Sequence, residues 1–454
     1  MKIKFPLLVL FSLFCLSLSG SAQTEKAGAA PKTTQTAAKS EKTPWLDIGV
    51  EHRTRYETLD NRFRLGEVGS DQQLPQNTRL RIEIKKVIAP FGLVMEFQDS
   101  RIRLDDSGST VTNTMVDEND ITQLYLSFAK PLGKAKLPSI VYVGRQSFDL
   151  GSRRLVSRPR FRNTTNSFDA IRWTLGNNKH WQLTTFLSRP VVRRMHQPDK
   201  PSDVTGFWGA FLTARLTSQF KNEFYYYGLG ESMASPRSTK RQYSTVGTRL
   251  YKDPEAGQIS YEFETALQFG EKRTLDHLAH LEHLQADYTF NAKWRPMLTG
   301  RYDYASGTKD PTGQDDGTFD SLYGDSRWEY GPTGIYGPFA RSNISSPGWA
   351  LELNPSKKLI FSTAMRWVWL ASARDQWVGS KLKDPTGNSG AYIGSHVDLR
   401  LRYSLNKYFR PEIGYVRFFK GSYLAKVPLS PGSEDSNYLY VEANFTFDHL
   451  LSLR

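Results

Sequence analysis

Residues 78–86 read TRLRIEIKK. Leu80, Ile82 and Ile84 share one parity, and Arg79, Arg81, Glu83 and Lys85 share the other. Successive side chains of a β-strand point to opposite faces, so the segment has one apolar and one charged face. The pattern recurs along the chain. From His396 to Leu405, Val397, Leu399, Leu401 and Tyr403 oppose Asp398, Arg400, Arg402 and Ser404. From Gln258 to Gly270, Ile259, Tyr261, Phe263, Leu267 and Phe269 oppose Ser260, Glu262, Glu264 and Gln268. From Tyr438 to Phe447, Leu439, Val441, Ala443, Phe445 and Phe447 oppose Tyr438, Tyr440, Glu442, Asn444 and Thr446. About eighteen such runs follow one another, each about ten residues long and closed by Gly, Pro, Asn or Asp.

A soluble antiparallel sheet, in a sandwich or solenoid, alternates too. Three further features favour a membrane. The N-terminus carries Lys2 and Lys4, an apolar run from Leu7 to Leu18, and small residues at Gly20-Ser21-Ala22. That is the pattern of a secretory signal over residues 1–22, and the run is shorter than the roughly 20 residues that a spanning helix needs. Strands of about ten residues match the thickness of a bilayer when tilted. Aromatic residues crowd strand ends at Trp367, Trp369, Tyr302, Tyr304, Phe418 and Phe419, as in the girdles at membrane interfaces. Lipid offers the backbone no hydrogen bonds, so a sheet within it must close. The expected fold is an all-β, transmembrane antiparallel β-barrel of about 18 strands, apolar outside and polar inside.

Residues 23–44 hold no aromatic residue and few large apolar ones, and read as a disordered lead-in. From Trp45 to residue 454 the composition is uniform, which predicts one domain. Cys15 is the only cysteine and lies in the leader, so the mature chain forms no internal disulfide. Phe14 precedes it where a lipoprotein signal needs a small residue. The formal charge is +14, and without Lys2 and Lys4 the chain keeps 58 basic against 46 acidic side chains. Such a balance suits a polyanion: nucleic acid, anionic lipid or an acidic polysaccharide. Export from the cytoplasm removes nucleic acid as a partner.

One stretch concentrates that charge. Gly144 to Trp173, GRQSFDLGSRRLVSRPRFRNTTNSFDAIRW, holds seven arginines at 145, 153, 154, 158, 160, 162 and 172. Tyr142-Val143 before it and Ile171-Trp173 at its end look like strand. In a barrel, an arginine-rich segment between two strands can fold inward or line the wall and make the lumen electropositive. Ile171 and Trp173 suit lipid, which turns Arg172 inward. The competing role for Arg172 is a structural ion pair with Asp169.

The stretch also resembles a family signature. Gly144-Arg145-Gln146, Arg154-Leu155-Val156, Arg162-Asn163-Thr164 and Ser167-Phe168-Asp169-Ala170-Ile171-Arg172 are similar to the core motif of the alginate-export family of outer-membrane barrels. Val246-Gly247-Thr248-Arg249, Tyr261 to Gly270, Asp303-Tyr304-Ala305-Ser306-Gly307 and Thr318-Phe319-Asp320 extend the similarity, which runs from about Trp45 to Phe447. The resemblance implies an eighteen-stranded barrel that exports an anionic uronate polysaccharide through an arginine-lined constriction. It points to Arg145 and Arg172 within matching motifs. Alternation alone adds Arg79, Arg81, Arg366, Arg400 and Arg402, with Glu262, Glu264 and Asp398 as inward carboxylates that weaken binding enough for release. Proteins of this type end on an aromatic residue read by the barrel-assembly machinery. Here Asp448 to Arg454 follow Phe447, so either the last strand ends at Phe447 or the signal is unusual.

No catalytic constellation emerges. The chain has eight histidines, none in a nucleophile motif, and no phosphate-cradling glycine loop. His277, His280 and His283 would share a face for a metal on a helix, but on a strand neighbours three apart point to opposite sides. Asp310, Asp315 and Asp316 lie in a Gly- and Pro-containing loop and read as solvated rather than calcium-binding. No cofactor and no metal are expected. The sequence predicts an outer-membrane channel for an anionic or polar solute, such as alginate or another acidic polysaccharide or oligosaccharide, with outer-membrane lipid, the assembly machinery and periplasmic export proteins as partners. A general nutrient porin is the alternative within transport, and an outer-membrane enzyme or surface-binding barrel is the alternative outside it.

Overall fold

The computed structural model describes residues 44–85, 90–177, 179–215, 217, 220–232 and 239–453. The leader, residues 23–43 of the lead-in, and Lys86 lie outside the described residues.

Among the described residues, eighteen long strands pair with their neighbours, every pair antiparallel. The first, Leu46–Leu59, pairs with Asp71–Lys85 on one side and with the last, Ser436–Leu453, on the other, which closes the sheet. Closure leaves no edge with unpaired backbone groups, as a sheet in lipid requires. Two-residue strands at Lys200–Pro201 and Asp315–Asp316 and short helices at Arg327–Tyr330 and Ser422–Lys426 belong to the connections. Connections at one end are short, such as 357–358 and 404–408. At the other end they run to 147–167, 306–343 and 370–391. Short periplasmic turns and long outer loops are the usual polarity of such barrels.

The two faces follow the alternation. Outward, Val143, Ile171 and Leu187 lie side by side on three adjacent strands. They are 49%, 56% and 67% exposed without lipid around them. Inward, Ser260, Glu264 and Gln268 are buried. This inversion of the soluble-protein rule excludes the sandwich and the solenoid. It also sets an expected result. Ile171→Arg places a cation toward lipid at mid-strand and should cost about 2–4 kcal/mol, whereas Thr174→Arg points inward and should cost far less. Urea titrations of folding into lipid vesicles compare the two, and equal stabilities would contradict the assignment of faces.

Two expectations are corrected, and one open alternative closes. The last strand does not end at Phe447. It continues through Asp448–Leu453 and pairs Leu453 with Leu46, after an irregularity between Ile48 and Val50. Phe418 is no girdle residue. It is buried inside the barrel, 5.7 Å from the ring of Phe63 and 5.7 Å from that of Phe339, while Phe419 faces out. Ser404 does not belong to the inward face of its strand, which stops at Tyr403; its amide donates to the Lys358 carbonyl in the turn.

The barrel interior at the long-loop end is filled. Loop 147–167 brings Phe148, Leu150, Leu155, Val156 and Phe161 inward, and loop 306–343 brings Phe319, Tyr330, Ile335, Tyr336 and Phe339. They meet inward rings of the wall: Phe161 lies 5.2 Å from Tyr440, and Tyr336 lies 5.2 Å from Tyr438. The two loops are also stitched to each other. Ser157 N donates to Tyr323 O at 3.1 Å, and Tyr323 N donates to Leu155 O at 2.9 Å. Gly324 sits where a Cβ would fall 1.7 Å from the Arg154 carbonyl oxygen, so this close approach requires glycine.

Candidate functional site

The strand Ser139–Gln146 brings Arg145 to the long-loop rim on the parity of outward Val143, and Phe168–Asn177 carries the chain back down the wall. Between them the arginine-rich loop is tied down rather than left as free charge. Arg145 closes its guanidinium fork on Asp169, with Nε–Oδ1 at 2.8 Å and Nη2–Oδ2 at 3.3 Å, which holds the two strands together at the rim. Arg158 reaches Glu96 of the wall at 2.5 Å. Arg154 is the hub. It meets Glu262, Glu264 at 2.5 Å and Glu329 at 3.0 Å, bridging two wall carboxylates to one from the second loop. Burial alone would lower its pKa, but Glu262, Glu329 and Glu264 outweigh burial and hold it well above the ordinary arginine value.

Among the described residues, two neighbouring arginines form no ion pair with a carboxylate. Arg162 donates to Thr164 O and to Asn166 Oδ1, and Arg193 donates to the same Asn166 oxygen. Burial, with Arg193 nearby, pushes the Arg162 pKa well below its ordinary value. Arg162 and Arg55 line a cavity of about 130 Å³ beside Glu57 and Thr333.

Nine of the ten residues proposed from the sequence as lumen candidates lie on inward parities; Arg145 does not, because it shares the parity of Val143 and pairs with Leu124 and Asp169 on the outward parity of their strands. The nine divide by environment. Arg79 donates to Gln98 at 3.1 Å and lies 3.6 Å from Glu51. Arg81 lies 3.5 Å from Glu83 and is half-exposed. Arg366 is buried against Asp303, which also contacts His283 Nδ1 at 2.6 Å. Arg402 pairs with Glu412 at 3.3 Å. Arg172 and Arg400 differ: among the described residues neither has a carboxylate partner. Arg400 donates to Ser362 at 3.2 Å. Arg172 donates to Gln146 at 3.0 Å and lies over the rings of Tyr142 and Phe148, at 4.2 and 5.1 Å. The competing ion pair of Arg172 with Asp169 does not form, because the two lie three residues apart on one strand and so on opposite faces, where Asp169 meets Arg145.

The carboxylates are not the free counter-charges expected. Glu262 is shared by Arg154 and Arg249, Glu264 holds Arg154 and accepts from Tyr225 at 2.9 Å, and Asp398 lies 3.5 Å from Arg327. Their contacts brace the loops. Sequence reasoning missed Arg327, Arg341 and Glu329 as interior charges, and did not single out Arg154 from the other arginines of its stretch. For Arg154 a signal existed: Leu155 and Val156 are apolar in a polar connection, and both are buried.

The histidines separate as strand geometry requires. His277 and His283 point inward, to Asp316 at 2.7 Å and to Asp303, while His280 points outward beside Glu282. Asp310 bonds within its own turn to Thr312, and Asp316 is engaged by Lys272 and His277.

A family model described as alginate export matches residues 44–434 of the chain. No curated protein sequence matches it. Among solved structures, the chain is similar to Pseudomonas aeruginosa OccK11 (OpdR), with a TM-score of 0.59 and 14% identity over 89% of this chain and 98% of that one. It is similar to P. aeruginosa OccK8 (OprE), with a TM-score of 0.61 and 11% identity over 89% and 98%. Acinetobacter baumannii OccAB4 gives a TM-score of 0.61 and 11% identity over 90% and 99%. At such identities the likeness speaks for the barrel fold alone.

Proposed function

The chain belongs to the alginate-export family, an outer-membrane channel in a closed barrel, and from that premise we propose that its solute is anionic, an acidic saccharide whose carboxylates pass along inward arginines. One observation carries this reading. Arg172 and Arg400 project into the barrel with no carboxylate of their own, whereas most other interior arginines are neutralised. A fixed cation in a narrow polar passage lowers the barrier for anions and raises it for cations. Because neither arginine is locked in an ion pair, each can exchange a neutral partner for a passing carboxylate and release it again. The filled mouth weighs against a wide, unselective nutrient porin. The proposal extends to an acidic polysaccharide such as alginate, to periplasmic export partners, and to the nine inward candidates as the lining of the solute path, with Arg145 at its rim.

The test is electrical. In a planar bilayer under a salt gradient, the native channel is expected to show a reversal potential of the sign that marks anion selectivity. A folded channel that conducts cations preferentially would overturn the reading.

A further inference from the structure

Three aspartates meet at the long-loop end of the barrel, beside Arg145. Asp117 and Asp120 open the strand Asp117–Ala129, and Asp199 comes from loop 193–204. One carboxylate oxygen from each lies within 4.8 Å of those of the others. Unbridged, three anions this close repel one another. Bridged, they have the right spacing: two oxygens on one calcium ion at 2.3–2.6 Å can stand at most about 5 Å apart.

A second observation points to a ligand. Asp117 is 1% exposed. Its Oδ2 accepts from Gln98 Nε2 at 3.2 Å, and its Oδ1 is buried with no hydrogen-bond donor. A buried carboxylate oxygen without a donor is costly, and a cation is the partner that removes the cost. Two guanidiniums flank the cluster, but among the described residues no donor reaches Asp117 Oδ1. Arg145 Nη1 lies 3.7 Å from Asp120 Oδ1, but its fork is closed on Asp169. Arg193 directs Nε to the Asn113 carbonyl and Nη1 to the Thr165 carbonyl and Asn166. The other two carboxylates are already held in position by the backbone. Asp120 accepts from Ile121 N at 2.6 Å and from Asp199 N, and Asp199 Oδ1 accepts from Arg194 N at 2.7 Å. Each of these oxygens keeps a lone pair for a metal.

We infer that Asp117, Asp120 and Asp199 form a calcium site that clamps loop 193–204 to the outer end of the neighbouring wall. The donors are all hard oxygens, which select calcium or magnesium over transition metals. Three carboxylates on two separate segments, completed by water, suit the adaptable shell of calcium better than the strict octahedron of magnesium. The site stands independently of the proposed solute.

The experiment uses the full-length protein folded in detergent micelles, dialysed to equilibrium against calcium chloride. One calcium ion per chain is expected, with a Kd of about 10⁻⁴–10⁻³ M, the range of extracellular sites, and with magnesium bound more weakly. Asp199→Asn should lose the ion while keeping the heat-modifiable electrophoretic shift of a folded barrel, and Asp310→Asn, in a separate acidic loop, should retain it. If Asp199→Asn does not fold, Asp117→Asn takes its place. A folded native protein that binds no calcium at millimolar concentration overturns the proposal, as does a folded variant that binds it as tightly as the native chain.

Discussion

Arg154→Met is expected to free the loops that fill the mouth and to raise conductance, while the barrel itself stays folded. Arg154 joins Glu262 and Glu264 of the wall to Glu329 of the second loop. After the substitution Glu262 keeps Arg249, and Glu329 keeps Arg341. Glu264 keeps only the Tyr225 hydroxyl and is 2% exposed. Removing one member of a buried ionic set leaves an uncompensated charge, at a cost of about 3–5 kcal/mol. The loops escape that cost by leaving the interior, since water can then reach Glu264. The wall cannot escape in the same way, because closure commits every strand to two neighbours. Single-channel recordings should therefore show larger or more frequent openings in Arg154→Met than in the native protein. Adding Glu264→Gln removes the stranded charge and should restore much of the closed behaviour, as a double-mutant cycle measures. Native conductance together with native thermal stability in Arg154→Met would show that the hub does not hold the mouth.

This expectation concerns the part of the molecule that the sequence disclosed least. The wall was legible because period two is enforced twice, by lipid on one side and by the lumen on the other. Val397, Leu399 and Leu401 could only face out once the sheet was closed, and Asp398, Arg400 and Arg402 could only face in. Strand count and order followed from the same alternation. The interior had no such enforcement. Tyr438 and Tyr440 sit on the polar parity, yet both are fully buried, because loop residues rather than water cover them. Phe418 was misplaced for the same reason: an aromatic at a strand end suits either an interface or an inner core, and only the loop bearing Phe339 decides between them. The counter-ions of the arginines were equally hidden. Glu329 lies in a connection without periodicity, more than a hundred residues beyond the stretch it helps to pin. The Asp117, Asp120 and Asp199 cluster is likewise assembled across distant positions, so no local spacing announced it.

The remaining test separates a cation that braces the wall from one that sets selectivity. Arg172→Glu reverses one interior charge and changes the local total by two units. In the structure Arg172 stands over the Tyr142 and Phe148 rings with Gln146 as its polar partner, and Asp169 belongs to Arg145. Reversal therefore breaks no ion pair, although it gives up the cation–π contacts, worth about 0.5–2 kcal/mol. Arg172→Met controls for that loss, since it keeps apolar contact with the rings and removes a single charge. If Arg172 sets the field in the passage, anion preference should fall from native to Met and fall further, or invert, in Glu. The difference should be largest in dilute salt and shrink as salt rises, because screening acts over about 8 Å at physiological ionic strength and about 30 Å at 0.01 M. A purely packing role predicts another ordering, in which Met and Glu differ in folded yield while the channels that form keep the native reversal potential. Reversal potentials of all three proteins at two salt concentrations decide between the roles. A folded Arg172→Glu channel with native selectivity in dilute salt would remove Arg172 from the solute path and leave Arg400 to carry the electropositive reading.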